Sequence, residues 1–102
     1  MVKAVIQADH NGHLLEIKGH AGYGRSGADI VCAGVSAVAF SLLGYLHNLP
    51  GVRVDAEEHP GDLRIACGFG DNVREAYRLT AIGLSQISKT YPEHVQVTLK
   101  GI

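Results

Sequence analysis

The sequence has little cysteine and no excess of basic residues. Its two cysteines, Cys32 and Cys67, are fewer than a disulfide-stapled secreted domain of this size usually carries. The N-terminus also lacks the charged-then-apolar pattern of a signal peptide. We therefore expect a cytoplasmic protein with reduced thiols, with a single disulfide as the alternative. A formal charge of −1 and scattered arginines disfavour direct binding of nucleic acid.

Charged side chains are missing altogether between Ile30 and Val52. A run of this length is what a transmembrane helix needs. Small and polar residues interrupt it, however, so we expect no membrane span but a buried helix from Ile30 to about His47. This helix is apolar nearly all round, and because one sheet cannot cover it we expect a homodimer. The candidate outward-facing residues are Phe40, Leu43 and Tyr45.

Elsewhere apolar and polar residues alternate, as is typical of strands. The alternation predicts strands at Val2–Ala8, His13–Gly19, Val52–Glu57, Asp62–Cys67 and 95–99. The pair Asn11-Gly12 predicts a tight hairpin turn, and a second turn is expected over Glu58–Gly61.

A second helix is expected from a cap at Asp71 to about Lys89. Its apolar stripe consists of Val73, Tyr77, Thr80, Leu84 and Ile87. The order β-β-α-β-β-α-β indicates one domain over residues 1–102, of the α/β (α+β) class. The expected architecture is a two-layer sandwich, with a mostly antiparallel five-stranded sheet and both helices on one face.

The segment from Gly19 to Ser36 combines a histidine, a glycine-rich loop and a cysteine near a helix start. Asp29 is a typical N-cap, which places Cys32 in the first helical turn. Unpaired N–H groups at a helix N-terminus stabilise a thiolate, and a histidine such as His20 can take the thiol proton. The segment therefore predicts a nucleophilic cysteine with a histidine base, and it offers first-turn N–H groups to an oxyanion.

Other interpretations of the cysteines and histidines stay open. A cysteine is often an inert core residue, and Cys67, in phase with Leu63 and Ile65, is expected to be one. A zinc site is a further alternative, but no CxxC or HxxxH spacing pre-assembles ligands, so we expect neither a metal nor another cofactor. The zinc ligands would be His20, Cys32, His59 and Cys67. The histidines expected simply to be solvated are His10, His13, His47, His59 and His94.

Asp29 and Ser36 each have two candidate roles. The Asp29 carboxylate could cap the helix, which is the favoured role, or orient His20 as in a catalytic triad. The Ser36 hydroxyl, one turn after Cys32, could donate to an oxyanion or bond back to the Cys32 carbonyl.

Over Gly19–Ser36 the pattern G-H-A-x5-G-x-D-I-x-C-A-G-V-S closely resembles the ribosomal-processing cysteine protease family Prp. The resemblance implies an endopeptidase that removes a short N-terminal extension from a bacterial large-subunit ribosomal protein. It also implies that Cys32 is the nucleophile and His20 the general base, with Asp29 and Ser36 on motif positions. The resemblance further implies a homodimer, which agrees with the apolar surface expected on the first helix.

The glycine-rich loop from Ala21 to Ala28 is the expected peptide-binding element. Its glycines give it a broad free ensemble, so we expect it to be mobile when empty and to order over a bound peptide. The candidate substrate-binding residues are Gly22, Tyr23, Gly24, Arg25 and Ser36. The alternative function is a non-catalytic ribosome-associated or metal-binding module that uses the same loop to hold a partner.

Overall fold

A computed structural model describes residues 1–25 and 27–102, so that Ser26 of the expected loop lies outside the described residues. The strands and helices are β1 (Val2–Asp9), β2 (Gly12–Lys18), α1 (Ile30–His47), β3 (Val54–His59), β4 (Asp62–Cys67), α2 (Asp71–Thr90) and β5 (Val95–Lys100). The predicted element order and the α+β class are confirmed.

The five strands form one mixed sheet in the order β3-β4-β2-β1-β5. Three of its pairings are antiparallel, whereas β1 and β5 are parallel, with Val2 opposite Val95. The parallel pairing follows from chain direction, because β5 is reached only after the crossover through α2. The β1–β2 hairpin closes at the predicted turn, where the Asn11 N–H donates to Asp9 Oδ1 at 2.8 Å.

The core lies between one face of the sheet and both helices. Alternate residues of the central strands point into it, and Ile6, Leu15 and Ile65 are fully buried. From α2 the buried Tyr77 hydroxyl donates to the Ile65 carbonyl at 2.9 Å. Burial, together with the Cys67 thiol nearby, raises the pKa of Tyr77, which keeps this phenol a hydrogen-bond donor.

The predicted bounds of β3 and α2 are wrong, and those of β1, β2 and β5 move by one residue. Strand β3 begins at Val54 rather than Val52 and continues to His59, because its antiparallel register pairs His59 with Asp62 and leaves only Pro60 and Gly61 for the turn. Helix α2 has Gly70 at its N-cap, and Asp71 is the first helical residue. There the Asp71 carboxylate lies 3.7 Å from Arg74 and faces the positive end of the helix dipole.

Helix α1 is long and apolar enough to cross a membrane by length and composition alone. In this structure its sheet-facing residues, spaced three and four apart, are buried in the core: Val31, Val35, Ala39, Leu42 and Leu46. The opposite side is open, with Phe40 and Tyr45 nearly half exposed. Leu43 packs partly buried against the core, so its prediction as an outward-facing residue is wrong.

Candidate active site

Asp29 ties the start of α1 to the glycine-rich loop. Its Oδ1 accepts hydrogen bonds from the N–H groups of Val31 at 2.9 Å and Cys32 at 3.1 Å. Its Oδ2 accepts from the N–H groups of Tyr23 at 2.9 Å and Gly24 at 3.0 Å. Burial alone would raise the pKa of this carboxyl, but the four N–H donors hold the pKa of Asp29 below its usual value. Asp29 therefore caps the helix and fixes the loop at once.

The cap leaves the first turn of α1 with few free donors. The N–H groups of Val31 and Cys32 donate to the Asp29 carboxylate, and the Ala33 N–H donates to the Asp29 carbonyl at 3.0 Å. These three N–H groups could therefore hold an oxyanion only in competition with the capping residue.

Cys32 lies half-buried in the first turn, and its Sγ accepts a hydrogen bond from the Ala21 N–H at 3.3 Å. Cys67 contrasts with it: this thiol is 7% exposed in the core, as predicted, and donates to the Arg53 carbonyl at 3.5 Å. Burial raises the pKa of the Cys67 thiol. Both cysteines are free thiols.

His20 follows the end of β2 and is exposed. Its ring lies against Gly61 in the β3–β4 turn, and the two segments are joined by the Gly19 N–H, which donates to the Gly61 carbonyl at 2.8 Å. Among the described residues, no hydrogen bond joins His20 to Cys32 or to Asp29. The carboxylate of Asp29 is engaged with backbone N–H groups and does not orient the imidazole.

Two clefts meet at Cys32. The first, of about 430 Å³, has an apolar floor from the sheet and α1 and a polar rim from the β3–β4 turn. The second, of about 440 Å³, is lined by the glycine-rich loop and the start of α1. His20, Cys32 and Ser36 line both clefts. A peptide that lay across the two clefts would therefore pass over the thiol.

The other predicted site residues divide into two groups. Gly22 and Gly24 line the second cleft with Ser36, whereas Tyr23 and Arg25 line neither cleft. Tyr23 instead packs edge-on against Tyr91 and His94, with ring centroids 5.1 and 5.3 Å away. In the described part of the chain the Ser36 hydroxyl makes no bond back to the Cys32 carbonyl.

Two histidines expected in solvent are in fact engaged. His13 is buried, stacks on Tyr77 with centroids 5.1 Å apart, and donates from Nδ1 to the Gly68 carbonyl at 3.2 Å. His13 lies two residues before Leu15 on β2, so the alternation of the strand predicts that both side chains face the core. His94, half-buried before β5, donates from Nδ1 to the Ala21 carbonyl at 2.8 Å. No local pattern indicates that contact, because the two residues are 73 positions apart.

Across residues 1–25 and 27–102 no cluster of three or more metal-ligating side chains is present. The alternative set of four zinc ligands is not assembled, because the Cys67 thiol faces the core while His20 and His59 lie at the first cleft.

Comparison with known proteins gives one consistent result. The family model for cysteine protease Prp matches residues 1–96. The ribosomal processing cysteine protease Prp of Bacillus subtilis (strain 168) is 40% identical over 110 residues, covering 96% of this chain and 96% of that protein. The crystal structure of the essential ribosomal processing protease Prp from S. aureus, in complex with a covalently linked product peptide, matches with a TM-score of 0.89 at 26% identity. It covers 98% of this chain and 100% of that chain. A second S. aureus structure, in complex with a substrate peptide, matches with a TM-score of 0.82 at 25% identity, and coverage is again 98% of this chain and 100% of that chain.

Proposed function

The chain belongs to the cysteine protease Prp family, and we propose that it removes the N-terminal extension of a bacterial large-subunit ribosomal protein. Cysteine protease activity follows from the family. A ribosomal protein as the substrate is supported by the names of the relatives, which are ribosomal processing cysteine proteases. The alternative of a non-catalytic binding module is less favoured, because it gives no reason for a half-buried thiol where two clefts meet.

The position of Cys32 is the observation that carries the proposal. Its Sγ lies at the junction of the two clefts, with the His20 ring and the Ser36 hydroxyl lining the same space. A nucleophile, a base and a neutral hydroxyl donor thus face one path for a peptide. The apolar floor of the first cleft, formed by residues such as Val35, Ala39 and Leu63, suits a peptide with apolar side chains beside the scissile bond.

The proposed reaction is acyl transfer to Cys32. His20 takes the thiol proton, and the thiolate forms a C–S bond to the scissile carbonyl carbon, giving a tetrahedral oxyanion. When the C–N bond breaks, His20 returns the proton to the leaving amine. Water then attacks the thioester with His20 as base, which releases the carboxylate of the extension and restores the thiol.

The Ser36 hydroxyl is the proposed donor to the oxyanion. It lies one helical turn after Cys32, on the side of α1 that faces both clefts. The N–H groups of Val31 and Cys32 already donate to the Asp29 carboxylate, which favours a side-chain donor to the oxyanion. A neutral hydroxyl stabilises the oxyanion more than the planar carbonyl and therefore acts on the transition state.

Substrate binding is the proposed trigger that brings His20 to the thiol. Catalytic hydrogen bonds are often longer in the free enzyme than in the Michaelis complex. Two glycines of the second cleft, Gly22 and Gly27, have left-handed φ of +67° and +83° and open space around them. Backbone of this kind can rearrange around a peptide. The loop is therefore proposed to close on the substrate and to press the peptide between its backbone and α1.

The helix layer is the proposed contact surface of a homodimer. Between α1 and α2 lies a largely apolar groove of about 540 Å³. Beside it, Tyr45, Leu79 and Ile82 are 46%, 71% and 59% exposed. Apolar side chains concentrated on one side of a small domain are typical of a buried interface. A second copy would cover the side of α1 that the sheet leaves open.

Incubation with the immature ribosomal protein, followed by mass measurement of both fragments, tests the proposed function. Wild-type protein is expected to give one cleavage, whose fragments differ from the intact substrate only by the added water. Cys32→Ala should give none while keeping the fold. Cys67→Ala is the matched control and should cleave at the wild-type site. Cleavage by Cys32→Ala, or no cleavage by wild type, would contradict the proposal.

A further inference from the structure

Cys32 is connected to a distant histidine through a single residue of the glycine-rich segment. The Ala21 N–H donates to Cys32 Sγ at 3.3 Å, and the Ala21 carbonyl is 2.8 Å from His94 Nδ1. Because a carbonyl oxygen can only accept, Nδ1 of His94 must carry the proton in this contact. Ala21 itself is 2% exposed, so neither of its polar groups has easy access to water as a substitute.

The backbone of His94 is held by two hydrogen bonds of its own. Its own N–H donates to the Tyr91 carbonyl at 3.0 Å, and its carbonyl accepts from the Val2 N–H at 2.9 Å. The end of α2 and the start of β1 therefore fix its backbone. The Tyr23 ring packs edge-on against the imidazole, with centroids 5.3 Å apart.

On the N-terminal side of Ala21, the Met1 ammonium donates to the His20 carbonyl at 2.6 Å, which holds the peptide group that carries the Ala21 N–H. On its C-terminal side comes Gly22, with a φ of +67° and nothing within 4 Å of its Cβ position, a backbone conformation that glycine leaves easily. A main-chain N–H stabilises a thiolate only while it points at the sulfur. The Ala21–Gly22 peptide group therefore needs an anchor of its own to keep Ala21 in place, and His94 supplies it by holding the Ala21 carbonyl.

We propose that His94 is a positioning residue for the Cys32 nucleophile: by holding the Ala21 carbonyl, it keeps the Ala21 N–H directed at Sγ. The proposal rests on the role of Cys32 given under the proposed function. His94 touches neither the thiol nor either of the two clefts, and it acts only through Ala21.

Three substitutions separate the hydrogen bond from the aromatic packing. His94→Phe keeps a ring against Tyr23 but removes the donor. His94→Asn removes the ring but presents an amide N–H close to the position of Nδ1. His94→Ala removes both, and it replaces the Phe variant in the comparison if that variant does not fold.

The readout is the pH profile of Cys32 alkylation by iodoacetamide, measured in a Cys67→Ala background so that one thiol reacts. In His94→Phe and His94→Ala the midpoint of the profile should move upward by about one pH unit, the size expected for loss of one hydrogen bond to a charged group. His94→Asn should restore most of the shift. The remaining titratable groups that line the clefts with Cys32 stay the same in every variant: His20, Asp29, Glu58, His59 and Asp62.

Cleavage of the substrate supplies the second readout. His94→Phe should lower kcat about tenfold with little change in KM, because the thiolate is affected and the peptide contacts are not. A wild-type alkylation profile in both His94→Phe and His94→Ala would overturn the positioning role, as would an equal shift in His94→Asn and His94→Phe. Failure of the proposed function is distinguishable, since it appears as cleavage by Cys32→Ala or as no cleavage by wild type.

Discussion

Gly61 lies directly against the ring of His20, so that a Cβ at position 61 would come within 2.9 Å of Nε2. Gly61 also has φ of +70°, a conformation that L residues adopt at a cost. The β3–β4 turn is thus a support on which the proposed base rests.

We expect Gly61→Ala to displace the His20 ring and to lower kcat/KM about tenfold or more, since small misplacement of a catalytic group is costly. Gly51→Ala is the matched control: Gly51 has φ of +71° and nothing within 4 Å of its Cβ position. Both variants should lose about 1–2 kcal/mol of unfolding free energy, from the backbone conformation alone. Equal losses of cleavage in the two variants would contradict the supporting role of Gly61.

The two thiols should differ in reactivity. Cys32 is half-buried at the clefts, whereas Cys67 is 7% exposed. Burial, with the Asp55 carboxylate adding to it, raises the pKa of Cys67. We expect iodoacetamide at pH 7 to modify Cys32 at least about tenfold faster than Cys67, since thiolate fraction and access set the rate. Peptide mass mapping over time measures this, and slow modification of both at one rate would argue against a nucleophilic Cys32.

Asp29 should contribute a pH-dependent part of the stability. Its pKa is lowered from 3.8 by the backbone N–H donors, so the contribution is complete above about pH 3.8 and is lost as the pH falls through the lower folded value. Asp29→Asn has one acceptor oxygen in place of two and cannot serve both the helix start and the loop. Urea unfolding at pH 6 should show wild type more stable than Asp29→Asn, and the difference should shrink toward pH 2. A difference that did not change with pH would contradict the role of the carboxylate charge.

Ser36→Ala should lower kcat about 100-fold while KM changes little, the pattern of a donor that acts on the oxyanion only. Ser41→Ala is the control on the same helix, because the Ser41 hydroxyl donates to the Ala37 carbonyl at 2.7 Å and lies outside both clefts. It should cleave at the wild-type rate. An unchanged kcat in Ser36→Ala would exclude this hydroxyl as the oxyanion donor.

Light scattering should give twice the chain mass of 10.8 kDa at micromolar concentration. Leu79→Glu places a charge on the exposed helix layer and should shift the protein to the monomer, since an unpaired charge is costly to bury in an interface. Phe69→Glu is the control: Phe69 is 66% exposed and lies before α2, away from the groove. A wild-type mass of a single chain would contradict the homodimer.

Local chemistry was enough to predict much of the fold. The Asn11-Gly12 turn, the Asp29 cap and the apolar stripe of α2 each follow from neighbours a few residues away, and the structure has all three. The face of His13 was also predictable, because it follows from the same alternation that buries Leu15 and Ile17. The bounds of β3 were missed because strand register, not local pattern, decides them: pairing with β4 extends β3 to His59.

The surroundings of the candidate site could be predicted only in part. Sequence proximity placed Cys32 and Asp29 together at one helix start. The contact of His20 with Gly61 and that of His94 with Ala21 join segments far apart in the chain, and no periodicity within either segment encodes them. The engagement of the first-turn N–H groups by Asp29 was missed for a different reason. The Asp29 carboxylate and an oxyanion compete for the same N–H groups. Because Asp29 is a permanent part of the chain, it already accepts from Val31 and Cys32 in the free protein.

The parallel pairing of β1 with β5 determines when this thiol gains its surroundings during biosynthesis. Val2 pairs with Val95, and the Val2 N–H holds the His94 carbonyl, so the contact between His94 and Ala21 waits for the segment around β5. Closing so long a loop is slow relative to forming the β1–β2 hairpin. A nascent chain that already contains Cys32 therefore lacks the anchored N–H on its sulfur. If His94 positions the Ala21 N–H as proposed, we expect full reactivity of Cys32 only after β5 has emerged and joined the sheet.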